Sequence, residues 1–368
     1  MDFRYPNNDE MKKYKLLIIL CFMLLACNTD DTDTLSASEI MANRSLMLQN
    51  ASELGVQVSI DNFRIAIMNL KISTESLVQE TNETNLLSAR EQWKKSTNQF
   101  KKLEFYNFLK IADEKTIQFI HFWPLDEQRF QEILVSEDEI NATLLNQQPG
   151  NVKGLTAIEY ILFQENAINI LKENNRIRNY LVSSVNLIVT DINETQKFWT
   201  SSIERFNDTS LSDVTVGQNQ LANTLIKNLQ ITRKARLALA LNLNAEDSPD
   251  PTKLEAWLSN SSISLLKSNF AEWKATFYND YPNTDEKYGF NDLLNDENQE
   301  DLLADIESKI SQCDKIINDF SVLSVEISNN PNKVQTLYDA FNELYILIIN
   351  DMASALNIII LVDECDCD

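Results

Sequence analysis

The sequence predicts an all-α fold. Apolar residues recur at helical spacing through most of the chain, and the alternation of apolar and polar residues that marks strands between turn signals is missing. With 368 residues, 43% of them hydrophobic, the chain can bury the core of one large domain or of two ordinary ones.

The elements follow in chain order. Residues Met11 to Cys27 run M-K-K-Y-K-L-L-I-I-L-C-F-M-L-L-A-C, a basic region and then an apolar run too short to span a membrane and remain there. That order reads as a lipoprotein export signal over residues 1–26. Asp9 and Glu10 suit a signal poorly, so the natural start is expected at Met11. Leu24-Leu25-Ala26-Cys27 has the form of a bacterial lipobox, which makes Cys27 the lipidated mature N-terminus. Residues 27–34 are a polar acidic tether with nothing to bury. Asn28 after the lipid cysteine points to the outer membrane, with the periplasmic and the surface face both open. Helices are expected over about 37–80, 86–109, 155–173, 175–206, 218–242, 252–278, 299–328 and 334–362. In the second of these, Trp93, Phe100 and Leu103 share the inner side. In the last, Leu337, Phe341, Leu344, Ile348, Met352, Ala355 and Ile359 form one stripe, and Pro331 suits its start.

Composition breaks at Asn207–Gly217, Glu246–Pro251 and Tyr281–Gly289. The first divides the body into an N-terminal bundle, 35–206, and a C-terminal bundle, 207–368. Glu91-Gln92-Trp93-Lys94 and Ala271-Glu272-Trp273-Lys274 echo each other weakly, as two related bundles would.

Several function classes are excluded at this level. Lys and Arg total 32 against 55 Asp and Glu, and removing the signal leaves 28 against 52, a net charge of −24. Wrapping of nucleic acid is incompatible with that balance. The five glycines include no pair at the spacing of a phosphate loop, a dinucleotide fingerprint or a nucleophile elbow. A single histidine, His121, rules out zinc chemistry that needs two imidazoles.

Two stretches depart from plain bundle sequence. In His121-Phe122-Trp123-Pro124-Leu125-Asp126-Glu127-Gln128-Arg129, Pro124 marks an ordered turn. Trp123 is expected in the core, His121 as a packing histidine or a ligand, and Asp126 with Arg129 as a local ion pair. In Gly154-Leu155-Thr156-Ala157-Ile158-Glu159-Tyr160-Ile161-Leu162-Phe163 the helix is apolar almost all round, which buries Glu159. A buried carboxylate must be hydrogen-bonded, paired, metal-bound or protonated. After the signal and Cys27 are set aside, Cys313, Cys365 and Cys367 remain. A disulfide from Cys313 to the tail, a soft-metal site at Cys365 and Cys367, and a frayed terminus are the open alternatives.

Together these stretches resemble the imelysin-like family of insulin-cleaving membrane proteases and iron-regulated envelope proteins. Its F-W-P turn is matched by Phe122, Trp123, Pro124 and Asp126, and its G-x-H-x-x-E motif by Gly154 and Glu159; the acidic tail 362–368 is similar as well. The resemblance covers about residues 35–368 and implies two similar helical bundles with the motif helix near their junction. Thr156 stands at the histidine position. A hydroxyl does not replace imidazole as a strong zinc ligand.

The resulting expectation is an envelope lipoprotein that binds a divalent metal such as iron or zinc, a small ligand or an envelope protein partner at the junction, the link to iron acquisition coming from the resemblance. Its candidate ligand set is Glu159, Thr156, Asp126 and His121. The alternatives are an imelysin-type metallopeptidase and a non-catalytic scaffold. The membrane partner is reached through the lipid on Cys27.

Overall fold

The computed structural model describes residues 36–112, 115–210, 217–243 and 248–361. Cys27, Cys365, Cys367 and the expected signal lie outside them. Within the described residues the protein is helical, apart from one short antiparallel pair, β1 (Lys110–Ala112) with β2 (Lys115–Thr116).

The first half contains α1 (Ala37–Asn50), α2 (Val58–Gln79), α3 (Glu83–Phe105), α4 (Glu127–Val135), α5 (Ala142–Asn146), α6 (Gly154–Phe163), α7 (Ala167–Glu173) and α8 (Asn175–Phe206). The second half contains α9 (Gly217–Ile231), α10 (Leu239–Leu241), α11 (Ser262–Phe277), α12 (Phe290–Asp296), α13 (Glu300–Asn318), α14 (Leu323–Asn329), α15 (Pro331–Ile346) and α16 (Ala353–Ala355). Asparagine side chains start several of them: Asn82, Asn141 and Asn174 each accept a backbone N–H of the first turn, which satisfies donors that the helix leaves unpaired.

Asparagine also ends and separates elements. Asn166, Asn242, Asn260, Asn279, Asn298 and Asn357 all take left-handed backbone. Asparagine tolerates that region better than other side chains because it can hydrogen-bond locally. With only five glycines available, it takes over the usual glycine role.

These asparagines account for most departures from the expected helices. The 155–173 helix is two, α6 and α7, divided before Asn166. The 252–278 helix is shorter, because Ala256 and Asn260 have positive φ and α11 begins at Ser262. The 299–328 helix breaks around Phe320. The last helix stops near Asn357 instead of reaching Val362. Its stripe from Leu337 to Met352 is buried as expected, whereas Ile359 is exposed. Three π-helical turns, Ala51–Gln57, Thr232–Ala238 and Leu347–Met352, interrupt otherwise continuous helices.

In residues 41–368 the helices of the first half pack mainly on one another, α2 on α3 and α8, and α6 on α3 and α8. In the second half α13 packs on α15 and α9 on α11 and α15, whereas α11 packs chiefly on α3 of the first half. The two sets meet where α3 lies against α11, and one hydrophobic cluster runs through both, from Met47 to Ala353. The two echoing tryptophans are buried on these two helices. Trp93 donates its indole N–H to the Leu155 carbonyl and Trp273 to the Leu225 carbonyl, so each pins its helix to a neighbour. Among the described residues no helix is long and apolar enough to cross a membrane.

Candidate functional site

Beside the α3–α11 contact the interior holds a cluster of charged side chains. Lys101 and Glu104 are one turn apart on the buried face of α3, with Nζ 2.6 Å from Oε2. Arg236 comes from the π-helical turn that follows α9, and Glu255 from the irregular segment before α11. Lys101 also pairs with Glu255, while Arg236 reaches Glu104 Oε2 at 2.8 Å and Glu255 Oε2 at 3.1 Å. The remaining guanidinium donor is shared by Thr232 and Asn269, and Asn269 donates to the Lys101 carbonyl. All four charged residues are buried.

Two acids and two bases balance, which is what makes such a burial tolerable. Burial alone would raise the pKa of Glu255. The charges of Lys101 and Arg236 together with His121 outweigh it and hold the carboxyl well below the usual range.

His121 is buried against this cluster. Its ring meets those of Trp93, Phe100 and Trp123 with centroids 6.0–6.5 Å apart. Nδ1 lies 3.2 Å from Glu255 Oε1, off the hydrogen-bond line, and Nε2 has no hydrogen-bond partner among the described residues. Burial, then the charge of Lys101, pushes the imidazole pKa below its ordinary value, so the neutral form is favoured. His121 thus packs among aromatic rings with neither ring nitrogen hydrogen-bonded by the described residues.

The motif helix α6 locks the adjoining turn in place. Gly154 has φ of +65°, and a Cβ there would fall 2.2 Å from the Ile120 carbonyl oxygen, so only glycine lets the 120–124 turn dock this closely. Thr156 donates its hydroxyl to the Phe122 carbonyl at 2.8 Å. Trp123 precedes Pro124 through a cis peptide bond and is half-buried, not fully in the core as expected; its indole N–H is buried without a partner among the described residues. Glu159 is buried as predicted. Its carboxylate accepts the Ser259 backbone N–H at 2.9 Å, which ties α6 to the segment before α11. Burial raises its pKa to about 7, against the smaller opposing effect of the Ser259 hydrogen bonds.

The expected ligand set is only partly brought together. Thr156, Glu159 and His121 lie along the turn and the motif helix. Asp126 is exposed and serves as the N-cap of α4, where it accepts the Arg129 backbone N–H. The expected Asp126–Arg129 ion pair is replaced by one from Arg129 to Glu132 at 3.0 Å, because the aspartate is committed to the cap. Cys313 is a free thiol on the inner side of α13, and burial pushes its pKa up to about 12.

Neither Lys101, Glu104, Arg236, Glu255 nor Asn269 was singled out from sequence. A signal existed for two of them: Lys101 and Glu104 fall on the helical face of Trp93, Thr97 and Phe100, where charged residues are out of place. Glu255 offered none.

These residues do not fit a divalent metal. Among the described residues no three His, Cys, Asp or Glu side chains converge as ligands, and both carboxylates nearest the histidine are already engaged by Lys101 and Arg236.

Two solved structures have the same fold. An imelysin-like protein from Psychrobacter arcticum 273-4 superposes with a TM-score of 0.70 at 15% identity, over 86% of this chain and 96% of that one. A protein named as an iron-regulated protein A precursor, from Parabacteroides distasonis ATCC 8503, gives 0.62 at 15% identity, over 86% and 95%. No curated protein matches the chain. The Imelysin family model, Peptidase_M75, matches residues 60–347, and on that match, with the all-helical fold and the motif helix at the junction, the chain belongs to the Imelysin family.

Proposed function

We propose that the protein is a non-catalytic lipoprotein of the cell envelope, anchored through Cys27, that binds a small ligand or a partner protein at the helical junction and serves iron acquisition. One observation carries the non-catalytic part. Lys101 and Arg236 occupy the carboxylates beside the sole histidine, and the Thr156 hydroxyl is bonded to the Phe122 carbonyl, so the groups a hydrolytic metal would need are already in use. The ligand would be met where the turn reaches the surface, at half-buried Trp123 and at Phe122, which is 47% exposed. The link to iron rests on the name of the Parabacteroides neighbour and on family resemblance.

A second reading, an imelysin-type metallopeptidase, is favoured by Glu159, whose pKa near 7 would suit a general base. Titration of the purified mature protein with iron, zinc and copper beside a peptide-cleavage assay separates the two. We expect no metal-dependent hydrolysis; hydrolysis that disappears in Glu159→Ala would defeat the first reading. Growth of a deletion strain on limiting iron tests the physiological part, and unaltered growth would remove the iron role.

A further inference from the structure

Lys101 has no exposed surface, and what surrounds its ammonium is unusual for an ion pair. Glu104 approaches from its own helix and Glu255 from the far half of the chain. The faces of Phe100 and Trp123 lie with centroids 5.3 Å from Nζ, within the range in which an aromatic quadrupole attracts a cation. His121 is 1% exposed and turns Nδ1 to the same Glu255 oxygen that pairs with Lys101.

Carboxylates and aromatic faces together form a receptor for an organic ammonium. The aromatic faces offer no lone pairs, so the enclosure is poorly built for zinc or iron, which require converging N, O or S donors.

We propose that the junction contains an ammonium cage, made by Glu104, Glu255, Phe100 and Trp123, which the chain fills with its own Lys101. The cage holds the two helical sets together through a cation that one set supplies and that a carboxylate from each set neutralises. An external primary ammonium can replace it only when the lysine stem is removed. This rests on reading the junction as free of metal.

The test is chemical rescue. Lys101→Ala deletes the atoms that n-propylammonium would restore, three carbons and a nitrogen. Two buried carboxylates then lose a partner, and the melting temperature of the variant should fall by several degrees. Millimolar n-propylammonium chloride should recover at least half of that loss in a saturable way, while sodium chloride at equal ionic strength and zinc chloride should not. Wild type should be unaffected by the amine.

Equal recovery with sodium chloride, better recovery with zinc, or no recovery would overturn the cage. If Lys101→Ala does not fold in buffer, refolding from urea with and without the amine is the measurement. A yield raised only by the amine supports the cage, and equal yields overturn it. Metal-dependent hydrolysis by wild type would defeat the functional reading through a separate assay, whereas failed rescue with an inert wild type would defeat the cage alone.

Discussion

Thr156 donates its hydroxyl to the carbonyl oxygen of Phe122 at 2.8 Å, which fastens α6 to the 121–124 turn. The small side chain is buried, and its one polar atom is satisfied.

Thr156→His should consequently fail to create a metal site. The ring would lose the bond to Phe122 and overpack the helix, at a cost of about 1–3 kcal/mol. The carboxylates that could orient a metal-bound histidine are already engaged, Glu159 by the Ser259 backbone N–H and Glu255 by Lys101 and Arg236. Calorimetric metal titration and thermal melts of wild type and variant check this. A large gain in zinc or iron affinity without destabilisation would show the opposite.

Gly154→Ala should destabilise the protein more than an ordinary surface change. A non-glycine residue at positive φ costs about 1–3 kcal/mol in the backbone alone. The added methyl would also meet the Ile120 carbonyl. Urea denaturation is the measurement, and a change within about 0.5 kcal/mol of wild type would contradict the close docking of the turn.

Glu159 should make stability fall between mildly acid and neutral pH. Its folded pKa, raised to about 7 by burial, exceeds the ordinary value of 4.5. Between those values the folded state holds a proton that the unfolded chain has released, so its contribution is fully present below 4.5 and is lost as pH rises through about 7. Glu272, which is buried and hydrogen-bonded by Tyr106 at 2.6 Å, has a pKa raised in the same way and acts in the same direction. Glu159→Gln keeps an acceptor for Ser259 without the titrating proton. Relative to wild type, the variant should gain stability across this window, by up to ~3 kcal/mol, and level off above it. Denaturation curves at a series of pH values test this, and a gap that does not change with pH would refute it.

Cys27→Ser should release the protein from membranes. On the proposed lipidation, acyl chains would supply the burial that a processed chain of net charge −24 lacks. Fractionation of cells expressing each form decides the matter, because an unchanged membrane partition rules out lipidation at this cysteine.

The sequence by itself determined the helical class, the burial of Glu159 and the presence of a turn at 121–124. Each depends on a local pattern: apolar spacing, an acid on an all-apolar helix, and a proline after large aromatics. It overran the helix ends at 252–278 and 334–362, because left-handed asparagines interrupt the chain without disturbing apolar spacing. Only the tertiary structure decided what faces His121 and Glu159. Glu255 and Ser259 come from a short irregular segment about a hundred residues beyond the motif helix, and Arg236 from a π-helical turn. No periodicity encodes such meetings. They arise where α3 and α11 pack and bury two acids and two bases together, where each charge is tolerable only because the others are there.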